Sequence, residues 1–201
     1  MRFKTFISST LILLGILLCI QCKNAGSDSI QLFEENGDSW FEGGDASWIF
    51  DNGELVGKSE GGNGFVMSKE SYKDFVLELE FNPDNTVNSG VFVRCKDQEI
   101  SNTDCYEMNI WDEHPDQDSR TGSVVTRMKP MAHVNTLNKW NTYKVECSGN
   151  RQKVWVNGEL TAEMENNDLI DGYIALQAAE SGSIRFRNVS LKLNSSSEVT
   201  E

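Results

Sequence analysis

The chain has 201 residues, of which 18 are lysine or arginine and 31 are aspartate or glutamate, so its formal net charge is −13. Binding of nucleic-acid phosphates draws on clustered cations, and this acidic balance therefore excludes nucleic acid as an expected partner. The length suits one domain behind a short N-terminal segment.

The N-terminus, residues 1–22, has the pattern of a secretory signal that ends in cysteine. Two cations precede an apolar run from Leu11 to Ile20, which is shorter than the roughly 20 residues that a membrane-spanning helix needs. We predict a lipoprotein-type signal in which Cys22 carries the lipid anchor and the polar stretch 23–29 forms a tether. Plain secretion is the alternative. In both cases we expect export to the cell envelope, in the periplasm or at the outer-membrane surface, with the membrane reached only through the lipid.

Residues 30–193 are dominated by apolar and polar residues that alternate with a period of two. The clearest phrases are FVLELEF from Phe75, VFVR from Val91, VWV from Val154 and IRFRNVSLKL from Ile184. Apolar spacing of three and four residues, which would indicate helices, is almost absent. We predict an all-β domain over 30–193, followed by a flexible tail at 194–201.

Two Asn-Gly pairs give the turns of this domain. DNG at Asp51 and VNGE at Val156 each lie between alternating apolar phrases, which is the strongest short-range signal for a β-hairpin. Strands at this spacing indicate a two-sheet antiparallel sandwich. The glycine-rich GGNG at Gly61 is interpreted as another turn.

Two segments lack periodicity and are predicted to be loops, residues 98–104 and 128–138. The second is long enough to border a site, which we favour over a disordered connection. Cys95 and Cys105 flank the first loop, and either a disulfide between them or buried thiols would fit the pattern.

Side chains alternate across a strand, so the phrases can be sorted into faces. CYEMNIWD places Glu107, Asn109 and Trp111 on one face. By the same rule three pairs each share a face of their strand: Phe92 and Arg94, Val125 and Arg127, and Tyr173 and Gln177. Arg187 faces outward if Phe186 faces the core.

Such a face has the groups that a carbohydrate site needs. Guanidinium, carboxylate and carboxamide groups match sugar hydroxyls, and an indole can lie against a pyranose ring. The alternative is an ordinary solvated face with cross-strand ion pairs, each worth about 0.2 to 1 kcal/mol. The predicted face consists of Arg94, Glu107, Asn109, Trp111, Arg127, Gln177 and Arg187.

The phrase WDEHPDQD from Trp111 concentrates groups that could bind a metal. Asp112 and His114 are the candidate ligands, although the spacing matches no EF-hand and an exposed acidic loop would look the same. Neither a nucleophile elbow nor a phosphate-binding loop is present in the sequence.

The ordered set of phrases resembles one known family. NSGVFVR, YEMNIWD, RTGSVV, KWNTYKV, VWVNGE, GYIALQ and FRNVSL are similar, in that order, to the motifs of the 3-keto-disaccharide hydrolase domain, also called DUF1080. The N-terminal phrases LFEENGDSWF and KESYKDFVLELEF agree with it. The resemblance implies a concanavalin A-like β-sandwich, or jelly roll, over 30–193. Members are often exported lipoproteins of Bacteroidetes.

The resemblance also implies a chemistry: cleavage of glycosides whose sugar carries a ketone at C3. A base removes the acidified C2 proton, an electrophile stabilises the enolate, the C1 substituent leaves, and water adds. Glu107 would be the base or a metal ligand, while Arg94, Arg127 and Gln177 would orient the sugar or polarise the ketone. A divalent cation such as calcium, zinc or manganese could serve as Lewis acid.

This chain departs from the family pattern at one phrase in particular. Members commonly carry a histidine soon after the LQ of the penultimate strand, where this chain reads LQAAESG. His133, or else His114, could supply the imidazole from a loop. The rival hypothesis is therefore a non-catalytic, lectin-like lipoprotein that binds carbohydrate with the same face.

Overall fold

The computed structural model describes residues 29–194. The predicted signal, the Cys22 anchor, most of the tether and most of the tail lie outside the described residues. Within this range the chain forms β-strands and one short 3-10 helix at Gln117–Ser119, so the all-β prediction is confirmed. No helix in residues 29–194 is long and apolar enough to cross a membrane. The strands are β1 (Ile30–Gln31), β2 (Trp40–Gly44), β3 (Ser47–Asp51), β4 (Glu54–Ser68), β5 (Phe75–Pro83), β6 (Val87–Cys95), β7 (Tyr106–Ile110), β8 (Asn141–Ser148), β9 (Arg151–Val156), β10 (Glu159–Glu165) and β11 (Tyr173–Leu193).

Two long strands, β4 and β11, run through both layers of the fold. The first half of β11 pairs with the second half of β4 and with β6. The second half of β11 pairs with β5 and with the first half of β4. The front sheet therefore consists of β2, the second half of β4, the first half of β11, β6 and β7. The back sheet consists of β1, β3, the remaining halves of β4 and β11, β5, β8, β9 and β10.

The passage between the sheets requires a bend in both long strands. On β11 the register shifts between Ala179 and Ser181, and φ is +61° at Glu180 and +108° at Gly182. On β4 the facing bend includes Gly61 at φ +106°, a conformation that glycine adopts at no steric cost. The GGNG phrase is thus a bend inside a strand, and its interpretation as a turn was wrong.

The hydrophobic core lies between the two sheets. Tyr106, Met108 and Ile110 of β7 belong to the same buried cluster as Leu77 of β5 and Val145 of β8, although β7 pairs with neither strand. Strands that share a core without pairing must face each other across it. The two-sheet antiparallel sandwich predicted from the strand spacing is therefore confirmed.

Both Asn-Gly hairpins form as predicted. Asn52 and Gly53 join β3 to β4, and Asn157 and Gly158 join β9 to β10. All four residues have positive φ, between +52° and +81°. This is the type I′ geometry, whose twist matches that of the flanking strands.

The loop between β6 and β7 is closed by a disulfide. Cys95 and Cys105 form a disulfide, which is one of the two alternatives that the sequence left open. Cys147 is a buried free thiol. The backbone N–H of Lys96 donates to the carbonyl of Asp104 at 2.9 Å, and that of Cys105 to the carbonyl of Ser101 at 3.0 Å. The covalent link and these bonds fix the loop against the front sheet.

Candidate functional site

The strand β7 separates apolar from polar side chains as the alternation predicted. Tyr106, Met108 and Ile110 lie in the core, each at most 1% exposed. Glu107 and Asn109 lie on the opposite face, which is the outer surface of the front sheet. This face holds a concave pocket. The sandwich thus presents the polar half of β7 to solvent through a recess.

The pocket has a volume of about 400 Å³ and is lined by polar side chains for the most part. Its floor comes from four strands and its wall from the disulfide-closed loop and the segment after β7. No lysine or arginine among residues 29–194 lines it. The lining residues are Asn63, Asn88, Phe92, Ile100, Ser101, Asn102, Glu107, Asn109, Trp111, His114, Val125 and Gln177.

Glu107 is a buried carboxyl group at the floor of this pocket. It is 7% exposed, and no group within residues 29–194 donates a hydrogen bond to its carboxylate. Burial disfavours the charged form and raises the pKa of Glu107 to about 7. Gly90 makes room for it, because a Cβ there would lie 3.2 Å from Glu107 Cγ and 3.3 Å from Oε1. Glu107 therefore titrates near neutrality in a recess that a small ligand can enter.

Carboxamides provide most of the hydrogen-bonding capacity beside Glu107. Gln177 Nε2 donates to Asn63 Oδ1 at 3.1 Å, while Gln177 Oε1 is buried and has no partner among residues 29–194. Asn109 is anchored, because its Nδ2 donates to the carbonyl of Ser119 and its Oδ1 accepts from the N–H of Ile110. An orphaned buried oxygen costs free energy unless a ligand or water satisfies it. The floor is thus built to hydrogen-bond a polar ligand.

Trp111 and His114 form the rim of the pocket. Their ring centroids lie 4.6 Å apart, with the rings at 76°. Trp111 is only partly buried and belongs to neither core cluster, so it does not plug the space between the sheets. His114 Nδ1 lies 2.7 Å from the carbonyl oxygen and 3.0 Å from the N–H of Asp116. The backbone thereby holds the imidazole at the pocket edge.

The predicted metal ligands Asp112 and His114 do not form a common site. Asp112 is buried and turns away from the pocket: its carboxylate accepts from Thr136 N at 2.6 Å and Thr136 Oγ1 at 2.9 Å. It also lies 3.8 Å from Arg120. No group of three or more potential ligands (His, Cys, Asp or Glu) occurs among the described residues. Asp112 instead ties the loop 128–138 to the segment that follows β7.

Arg94 does not lie in the pocket, contrary to the alternation rule. It is fully buried and donates to the carbonyls of Lys73, Gly149 and Leu169, and it lies 3.3 Å from Asp74. The reason is a bulge. Phe92 faces Ala175 and Cys95 faces Tyr173, so two residues of β6 oppose one of β11, and Arg94 has φ +54°. The extra residue turns the guanidinium away from the pocket.

Arg127 and Arg187 are also outside the pocket. Arg127 pairs with Asp168 at 2.9 Å and lies over the Tyr106 ring. The residue before it, Thr126, has φ +64°, so no strand alternation links Arg127 to Val125. Arg187 lies beyond the bend of β11, on the back sheet.

On that outer face Arg187 is bound to other side chains. It donates two hydrogen bonds to Glu80, at 2.8 and 2.6 Å, and stacks on Trp140 at 3.9 Å. His133 is exposed and does not line the pocket. The loop predicted as the site border, 128–138, is absent from the lining as well. The structure therefore does not bring Arg187, His133 or this loop to the pocket that holds Glu107.

The sequence matches the profile of the 3-keto-alpha-glucoside-1,2-lyase-like domain over residues 27–192. The chain belongs to this family. A search of curated proteins gave no match. The match confirms the family resemblance inferred from the phrases between residues 30 and 193.

The solved structures that superpose on this chain carry the names of both enzymes and carbohydrate-binding domains. A proposed glycosyl hydrolase from Parabacteroides distasonis superposes with a TM-score of 0.70 at 22% identity, covering 83% of this chain and 100% of that one. A carbohydrate-binding module from Bacillus subtilis gives 0.61 at 19%, covering 77% and 95%. The VIP36 exoplasmic/lumenal domain in its Ca2+/Man3GlcNAc-bound form gives 0.55 at 12%, covering 79% and 85%. At these identities the likeness shows the fold alone, a concanavalin A-like sandwich.

Seven of the residues that line the pocket were not predicted as site residues, and two of them, Phe92 and Val125, were named only for the face assigned to Arg94 and Arg127. Asn88 lies on the same face of β6 as Phe92, so strict alternation would have found it. Asn63 was hidden in the glycine-rich phrase that bends β4. Ile100, Ser101 and Asn102 belong to the non-periodic loop that the disulfide closes.

Proposed function

We propose that the protein cleaves the glycosidic bond of 3-keto-glycosides, such as 3-keto-disaccharides, by abstraction of the C2 proton, elimination and hydration. The observation that carries the proposal is the unpaired Glu107 carboxyl at the floor of a carboxamide-lined pocket. Membership of the lyase-like family supports the reaction class. The carbohydrate-binding architecture of related folds supports the substrate class.

The proposed reaction needs one base and one stabiliser of negative charge. The Glu107 carboxylate takes the C2 proton, which the neighbouring ketone acidifies. The C2–H electron pair forms an enolate, which then expels the oxygen at C1 and leaves a double bond between C1 and C2. Water adds across that bond, with hydroxyl at C1 and hydrogen at C2. A pKa of about 7 for Glu107 suits a base that works near neutral pH.

The groups that stabilise the enolate differ from those expected from the sequence. Arg94 and Arg127 are committed elsewhere, so the N–H donors available near Glu107 are carboxamides of Gln177, Asn63 and Asn88. Side-chain amides aimed at a developing oxyanion are established donors for this purpose. The pair of residues predicted to hold calcium, zinc or manganese does not fit such an ion, and no step is assigned to one.

A second candidate function is carbohydrate binding without turnover. It is favoured by Ala178 and Ala179, which follow Gln177 where the family pattern commonly has a histidine, and which are buried. A pocket of hydrogen-bonding groups beside a partly exposed indole would serve a lectin-like site as well.

The two functions separate in a single assay with 3-keto-trehalose or a chromogenic 3-keto-glucoside. Purified protein is compared with Glu107→Gln and with Glu78→Gln, a matched carboxyl change at an exposed position of the back sheet. The enzyme predicts turnover that falls about 10² to 10⁴-fold in Glu107→Gln only. The lectin-like protein predicts saturable binding without turnover. Absence of both turnover and binding would overturn both proposed functions. Parallel reactions with calcium, zinc, manganese or a chelator test the metal.

We also propose that the protein acts in the cell envelope, held there by a lipid on Cys22. The support is the N-terminal sequence pattern alone. Partition of the expressed protein into a detergent phase, and its loss in Cys22→Ser, is the expected result. Equal partition of both proteins into the aqueous phase would favour plain secretion.

A further inference from the structure

The pocket contains a second titratable group besides Glu107. Among the lining residues within 29–194, Glu107 is the only carboxyl group and His114 is the only imidazole. Glu107 comes from β7, and His114 from the turn that follows the same strand. The two groups therefore reach the pocket on one continuous segment of eight residues, 107–114, which also contributes Asn109 and Trp111 to the lining.

The contacts of His114 leave one ring nitrogen for the pocket. Nδ1 contacts only the Asp116 backbone, 2.7 Å from its carbonyl oxygen and 3.0 Å from its N–H, and we choose the tautomer in which Nδ1 donates to the carbonyl. Nε2 has no partner among the described residues. A backbone carbonyl that accepts from Nδ1 fixes the tautomer in which Nε2 gains and loses the exchangeable proton.

The ring orientation is fixed as well. Trp111 packs edge-on against the imidazole, and Gln117 Nε2 donates to the His114 carbonyl at 2.7 Å, which holds the turn. In the chain Glu113 precedes His114 and Asp116 follows it by two residues, and both carboxyl-bearing residues are exposed. The imidazole is thus a positioned group at the pocket edge, while Glu107 lies at the floor.

We propose that His114 is the acid that protonates the departing C1 oxygen, a role that rests on the function proposed above. As Glu107 takes the C2 proton, protonated His114 donates its Nε2 proton to the leaving oxygen, and the alcohol departs neutral. In the hydration step neutral His114 takes a proton from water while the hydroxyl adds to C1. Glu107 returns its proton to C2. Both residues end in their starting states, and water is the only co-reactant.

The fold makes the assignment specific to this loop. On β11 the positions that follow Gln177 are the buried Ala178 and Ala179, which carry no proton-transfer group. His133 is exposed and outside the pocket. An acid for the leaving group must come from the lining, and His114 is its only imidazole within residues 29–194.

The test uses two 3-keto-glucosides that differ in their leaving group. 4-Nitrophenolate departs readily without a proton, whereas methoxide needs one. The full protein is compared with His114→Ala and with His114→Asn, which can keep a hydrogen bond to Asp116 but cannot transfer a proton. His133→Ala is the matched control, and thermal denaturation checks that each variant is folded.

The expected result is selective. Both His114 variants lose about 10² to 10⁴-fold in kcat/KM for the methyl glycoside and no more than about fivefold for the nitrophenyl glycoside. His133→Ala changes neither. Equal losses for the two substrates, or none, would overturn the role of His114 while leaving the proposed function intact. Failure of the unaltered protein to turn over either substrate would overturn both.

Discussion

The buried carboxyl of Glu107 makes a prediction about stability that requires no substrate. Its pKa is about 7 in the folded protein and 4.5 in the unfolded chain. Between these values the folded state binds the proton more tightly, so the unfolding free energy falls as pH rises. The loss is complete above the folded pKa. Glu107→Gln removes the group that titrates and should therefore remove this part of the pH dependence.

The size of the effect follows from the shift of the pKa. Each unit corresponds to about 1.4 kcal/mol, so moving a pKa from 4.5 to about 7 gives about 3 kcal/mol. The residue is 7% exposed, so solvent screening is small. Relative to Glu107→Gln, the unaltered protein should lose about 3 kcal/mol of unfolding free energy between about pH 4 and about pH 8.

Urea denaturation at several pH values measures this difference directly. All other carboxyl groups titrate alike in both proteins, so only the difference between the two curves is interpreted. Glu78→Gln, at an exposed back-sheet position, serves as the control and should track the unaltered protein. Parallel curves for the unaltered protein and Glu107→Gln would refute the reasoning, because they would mean that Glu107 is hydrated or compensated.

Two further predictions concern residues that the site depends on only indirectly. Replacing Cys95 and Cys105 by serine opens a loop with a sequence separation of 10 and should lower the unfolding free energy by about 2 to 3 kcal/mol. Because that loop lines the pocket, sugar affinity should fall too, and reductant should change melting temperature and affinity only in the unaltered protein. Arg94→Ala removes the buried guanidinium that donates to the carbonyls of Lys73, Gly149 and Leu169 and pairs with Asp74, so denaturation should show a loss of about 3 to 5 kcal/mol. Arg187→Ala breaks a partly exposed ion pair with Glu80 and should lower the unfolding free energy by about 1 kcal/mol or less. Equal losses for Arg94→Ala and Arg187→Ala would contradict this difference between a buried and a partly exposed arginine.

The front sheet shows where alternation along a strand correctly predicts which face a side chain lies on. β7 pairs with β6 in continuous register, from Ser89 against Ile110 to Val93 against Tyr106. Without a bulge, period two holds for every side chain, and Glu107 and Asn109 emerge together. The hairpins were predictable for a similar reason, since Asn-Gly encodes its own backbone geometry.

Long-range geometry could not be derived in the same way. Gln177 and Asn63 share a hydrogen bond although 114 residues separate them, and their meeting depends on how the bent strands β4 and β11 pair. The loop 98–104 reaches the pocket because a disulfide closes it, and the sequence left that bond open. Local patterns fix faces of strands, whereas the pairing of distant strands decides which faces meet.

The position of Arg94 outside the pocket bears on the pKa of Glu107. A guanidinium beside a carboxylate favours the charged form and lowers its pKa by about one to three units. An arginine within about 4 to 6 Å of Glu107 would therefore make it a weaker base near neutral pH. The bulge at Arg94 sends that cation to Asp74 instead. Burial is the cause of the raised pKa of Glu107, and with Arg94 turned away from the pocket no guanidinium from β6 offsets it.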